Sequence, residues 1–121
     1  MTRMKLAYVA GKYRGRTHND VAQNIAAARA VATRLWELGY AALCPHLNSA
    51  FMSGVAPEEV FMEGGLTMLR RCDLVVLVDG WQASEGTARE IEEACSCGLP
   101  VFSDIEFVPP ADAHPEACAN G

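Results

Sequence analysis

The chain has no basic surplus. Ten Lys and Arg stand against fifteen Asp and Glu, a formal charge of −5 at pH 7. A non-specific grip on nucleic-acid backbone needs the opposite balance, so no nucleic-acid polymer is expected as a partner. Long apolar runs are missing too. None approaches the ~20 residues that cross a bilayer as a helix, and no membrane association is expected. The segment that follows Met1-Thr2-Arg3-Met4-Lys5 is apolar but short, ends at Gly11 and carries no cleavage signature. It reads as a first strand rather than a secretory peptide. Cysteines number five, an odd count, and most sit in apolar surroundings. Reduced thiols in a cytoplasmic protein are the expectation. Cys95-Ser96-Cys97 lacks a second Cys/His pair at zinc-site spacing, so no metal is expected. Internal repeats and long linkers are also absent. What is present is material for a core, since half of the 121 residues are hydrophobic and only 21% are charged. That suits one domain of ordinary size.

Short β-like runs alternate with helical stretches. Lys5 to Ala10 reads as a strand. Thr17 to Leu38 reads as a helix, with Val21, Ile25, Ala28, Ala32 and Leu35 on one stripe. Thr17-His18-Asn19-Asp20 suits its start and Gly39 its exit. Ala41 to Cys44 reads as a second strand stopped by Pro45, and His46 to Val55 as a loop. Pro57 suits the first turn of a helix running to about Arg71. Leu74 to Val78 is apolar without alternation, as in a strand covered on both faces. Ala88 to Cys97 reads as a helix with Gly98 as its exit, and Pro100 to Ser103 as a further strand.

This order predicts an α/β fold: a single-domain, flavodoxin- or Rossmann-like open parallel sheet of four or five strands with helices on both faces. The domain is expected over residues 1–108. A Pro-rich tail, residues 109–121, is expected to be loosely ordered unless a partner subunit holds it. Such sheets bind ligands beyond the carboxyl ends of their strands, so the loops there carry the candidate chemistry.

The first of these loops is Gly11-Lys12-Tyr13-Arg14-Gly15-Arg16. Its glycines allow backbone N–H groups near an anion, and Lys12 or Arg14 supplies charge. It is neither a Walker loop nor a dinucleotide fingerprint, and a solvated basic turn explains it equally. The more informative loop is Asp79-Gly80-Trp81-Gln82-Ala83-Ser84-Glu85-Gly86-Thr87-Ala88-Arg89-Glu90. Ser84, Gly86 and Thr87 place hydroxyls and N–H groups at a helix N-terminus, where the macrodipole favours an anion. Glu90, read in the first turn, points to the same crevice. Thr87-x-x-Glu90 is equally a capping box, in which Glu90 only ties off a backbone N–H.

These segments, with Leu69-Arg70-Arg71-Cys72-Asp73 between them, resemble the nucleoside 2-deoxyribosyltransferase-like superfamily, and its DUF4406 branch in particular. The resemblance runs from about Leu6 to Phe102. The Ser/Asp-x-Gly-x-x-x-Glu spacing of Ser84, Gly86 and Glu90 matches that superfamily's catalytic loop. The resemblance implies cleavage or transfer at the N-glycosidic bond of a (deoxy)nucleoside or its 5′-monophosphate, with Glu90 as nucleophile. Ser84 would bind phosphate, with Gly11, Arg14 and Gly15 completing the anion site. Tyr13, Asp79, Trp81, Gly86 and Thr87 are further candidate contacts. The partner implied is a small-molecule nucleotide or nucleoside. No organic cofactor is implied, and a homo-oligomer, dimer or larger, is.

One position departs from the superfamily pattern. An Asp-Leu-x-x-Leu segment normally supplies an aspartate from the preceding helix. Here Gly65 occupies its place in Met62-Glu63-Gly64-Gly65-Leu66. Glu63 lies two residues away, about 200° round the helix, and is no obvious substitute. Asp79 and Glu85 are the other candidate carboxylates. This departure motivates a second reading, a nucleotide-binding or sensing module without turnover. A third is set by Gly86-Thr87-x-x-Glu90, which is also similar to cytokinin-activating phosphoribohydrolases, although their preceding Pro-Gly-Gly is absent. Trp81 reads either as a base-stacking residue or as a wall, and His46 either as a surface-loop histidine or as a residue that meets the base. Phe51 and Met52 read as an apolar base pocket or a subunit contact.

Overall fold

A computed structural model describes residues 3–50 and 52–113. Phe51, singled out above, and Cys118, the last of the five cysteines, lie outside the described residues, as does the tail beyond Ala113. Four strands form one sheet: β1 (Leu6–Ala10), β2 (Ala41–Leu43), β3 (Leu74–Leu77) and β4 (Val101–Phe102). Their order is β2-β1-β3-β4, and every pairing is parallel. The register sets Tyr8 against Leu43 on one side and Val75 on the other. The order reverses between β1 and β3. The loops leaving their carboxyl ends therefore diverge and leave a crevice there.

The helices are α1 (His18–Glu37), α2 (Pro45–Asn48), α3 (Glu58–Leu69) and α4 (Glu85–Ser96). Strand alternation sends Ala7, Val9, Leu74, Val76 and Val78 to the face covered by Ala28, Ala32 and Leu35 of α1. Tyr8, Ala10, Val75 and Leu77 face Leu69 of α3 and Ala94 of α4. Thr17 and Asp20 form the capping box read from the sequence, each side chain accepting from the other's backbone N–H. Gly39 and Gly98 leave their helices with φ of 96° and 72°, the left-handed conformation that suits glycine.

Three expectations are corrected. The stretch after Cys44 is not all loop. Pro45 pre-sets the φ of a first helical turn, and Asn48 and Ser49 donate backbone bonds to Cys44 and Pro45. Pro57 precedes α3 as its cap residue instead of lying in its first turn. The tail's first residues are docked: Tyr40 donates its hydroxyl to the Pro109 carbonyl at 2.7 Å, and the Ala111 N–H donates to the Leu38 carbonyl. Val108 is buried in the α1-side core.

Candidate active site

Beyond β1 and β3 lies a cleft of about 770 Å³. The first loop, α2, α3 and the start of α4 wall it. Its position is the crevice that the strand order requires.

The start of α4 decides what Glu90 does. Gly80 turns the chain at φ 90°, a short 3₁₀ turn covers Trp81–Ala83, and Ser84 is extended. The Ser84 hydroxyl oxygen accepts the Thr87 N–H at 3.1 Å, so Ser84 is the N-cap. The helix therefore begins three residues before Ala88, and Glu90 lies in the second turn. The capping-box reading of Thr87-x-x-Glu90 is thereby excluded. Glu90 does not tie off its own backbone. Its Oε2 accepts the Tyr8 hydroxyl at 2.5 Å.

Tyr8 was not legible as a site residue. It sits in the middle of β1 with no exposure, and its phenol reaches the cleft from beneath. Burial, and then the adjacent Glu90 carboxylate, push its pKa far above the ordinary tyrosine value. Its hydroxyl is thus a fixed donor. Glu90 is half-buried, and desolvation raises its pKa to about 7 against the opposing pull of the Tyr8 hydrogen bond. A carboxyl so poised is part ionised at neutral pH.

Gly65 explains how the pair fits. A Cβ there would lie 3.1 Å from the Tyr8 hydroxyl and 4.0 Å from Glu90 Oε2. The neighbouring Gly64 has nothing within 4 Å of its Cβ position. Glu63 is turned outward to Arg70 at 3.2 Å, and Arg70 also binds Glu93 of α4 at 2.8 Å. The carboxylates that line the cleft beside Glu90 are Glu58, Glu59 and Glu85.

Of the residues named from the sequence, Gly11, Tyr13, Arg14, Ser84, Gly86, Thr87 and Glu90 line this one cleft. Asp79, Trp81 and Gly15 do not. Asp79 is exposed, and Trp81 packs against the core beneath α3 and α4. Gly15 approaches α1 so closely that a Cβ there would collide with that of Asp20. Arg14 is ion-paired with Glu58 across the cleft mouth. Thr87 is fully buried, and its hydroxyl has no partner among the described residues. His46 is not a surface residue. It is 7% exposed, holds the Lys12 carbonyl at 3.0 Å and meets Tyr13 edge-on. Desolvation lowers its pKa, so the ring is neutral and Nε2 carries the donated proton. Among the described residues no cluster of His, Cys, Asp and Glu is arranged to hold a metal. No helix among them is long and apolar enough to cross a membrane.

A four-stranded parallel sheet with its cleft at the β1/β3 reversal defines the class. The architecture is that of the 2-deoxyribosyltransferases: the enzyme of that name from Bacillus psychrosaccharolyticus superposes with a TM-score of 0.58 at 19% identity, over 79% of this chain and 69% of that one. No curated protein matches the sequence. The family described as a domain of unknown function, DUF4406, matches residues 4–103, and the chain belongs to it.

Proposed function

We propose that this protein breaks the N-glycosidic bond of a (deoxy)nucleoside 5′-monophosphate, as a hydrolase or a base-exchange transferase, with Glu90 as nucleophile. The observation that carries this reading is the Glu90 carboxylate held in the cleft by Tyr8 and not by its own helix. The fold shared with a 2-deoxyribosyltransferase supports it. In the first step a Glu90 oxygen attacks C1′. The C–N bond breaks, and the base leaves with the bonding pair and takes a proton from solvent through the open cleft. In the second step water, or another base, attacks C1′ and loses a proton, and the Glu90 carboxylate is released. Splitting one displacement into two is what a carboxylate nucleophile contributes. The Tyr8 donor orients the attacking group and keeps part of it ionised.

The phosphate is assigned to the start of the same helix, α4. Ser84 accepts from Thr87 through oxygen and retains its own O–H for an anion. The N–H groups of Glu85 and Gly86 open α4 without side-chain or backbone acceptors among the described residues. Arg14 joins them by exchanging Glu58 for the phosphate. The test is base release from a panel of nucleosides and their monophosphates, followed by chromatography. Wild type releases base, and Glu90→Gln loses at least ~10³-fold. Equal release by the Gln variant overturns the assignment.

Gly65 favours a second reading, binding without turnover, because the position facing Glu90 offers no carboxyl group. That reading expects thermal stabilisation by nucleotide with no free base. Stoichiometric product excludes it.

A further inference from the structure

We infer that Asn24 is a positioning residue for the anionic end of the substrate: it draws two carbonyls of the first loop back against α1, leaving that loop's N–H groups for the ligand. Three consecutive carbonyls of the loop are held by side chains. Lys12 O accepts from His46 Nε2 at 3.0 Å. Tyr13 O and Arg14 O both accept from Asn24 Nδ2, each at 3.0 Å. A carboxamide nitrogen carries two N–H bonds, so one side chain serves both acceptors. Past the loop, the N–H groups of Arg16 and Thr17 donate to Asp20 Oδ2 at 3.0 and 3.2 Å. Between these anchors the N–H groups of residues 11–15 have no protein acceptor among the described residues.

The electrostatic consequence follows directly. Carbonyl oxygens repel an anion and N–H groups attract it. A loop whose carbonyls are tied down on one side becomes a concave anion receptor on the other. Gly11, Lys12, Tyr13 and Arg14 line the cleft, so the receptor opens where the substrate must lie. Neither the sequence motif nor the charge on Arg14 sets this geometry. A half-buried asparagine one helix away does.

The inference rests on the monophosphate reading above and is tested separately from it. Asn24→Asp keeps the shape of the side chain and turns two donors into acceptors facing two carbonyls. Asn24→Ala removes the donors without repulsion. Inorganic phosphate is titrated against each protein while the backbone N–H resonances of residues 11–15 are followed by NMR. The ratio of kcat/KM for a deoxynucleoside 5′-monophosphate to that for the same unphosphorylated deoxynucleoside is measured alongside. In wild type, phosphate moves these resonances. In Asn24→Asp, phosphate affinity and the kcat/KM ratio each fall by roughly tenfold or more, with Asn24→Ala between. Asn24→Gln, which restores the donor, recovers part of the ratio. Equal losses on both substrates would mark a merely structural role and overturn the inference, as would phosphate leaving the wild-type resonances unmoved. If phosphate moves them but no base is ever released, the inference stands and the glycosidic reading falls.

Discussion

The two faces of the sheet are built from alternate residues of the same strands, yet they bury different things. Against α1 lie Ala7, Val9, Leu74, Val76 and Val78, an apolar layer closed by Leu35 and Val108. Against α3 and α4 the same strands present Tyr8, and its hydroxyl ends on a carboxyl group whose pKa is raised to about 7. One face is packing. The other holds a polar pair in a space left open by Gly65. Stability and chemistry are thus divided between the faces, and substitutions should separate them.

The largest effect is expected at Glu90, whose amide variant loses at least ~10³-fold in base release, as set out above. Leu35→Ala, on the apolar face, costs about 2–5 kcal/mol of stability, read by denaturant unfolding. The protein that remains folded keeps its kcat within a few-fold.

The pH dependence of stability comes next. Glu90 ionises near 4.5 when unfolded and near 7 when folded. Its contribution is complete below pH 4.5, declines as pH rises through this window and is lost above 7. Across it, wild type loses on the order of 3 kcal/mol relative to Glu90→Gln. Asp73, held below its ordinary value by Arg3, the Leu6 N–H and Lys5, slopes the other way but is common to both proteins. Parallel unfolding curves against pH would contradict the burial of the Glu90 carboxyl.

Tyr8→Phe removes the donor that holds this pKa down. The acid limb of kcat/KM, expected near pH 7, moves upward, and the rate at pH 7 falls roughly 10–100-fold. The smallest effect compares neighbours. Gly64→Ala gains up to ~1 kcal/mol of helix propensity, because nothing surrounds its Cβ position. Gly65→Ala gains none of it, because its methyl meets the Tyr8 hydroxyl, and it lowers base release.

The sequence made the apolar face legible and much of the other face not. Periodicity located the α1 stripe, and the Thr17–Asp20 spacing named its cap. Glu90 stood out for the residues before it, but its role stayed open while Thr87-x-x-Glu90 also read as a capping box. Only backbone conformation moves the cap to Ser84, extended there and helical beyond. Tyr8 was hidden because an aromatic residue in a buried strand is ordinary, and its partner is 82 residues away. A four-residue helix is too short to show periodicity, so His46 read as a surface loop when it is an anchor. Asn24 carried no signal at all, since its partners are backbone carbonyls.

The most direct measurement is mass spectrometry of the protein acid-quenched early in turnover of a nucleoside 5′-monophosphate that it is found to cleave. A glycosyl adduct is predicted on the peptide containing Glu90, formed with the burst of released base and absent from Glu90→Gln. Base release with an adduct on another residue, or with none at any quench time, would contradict the account.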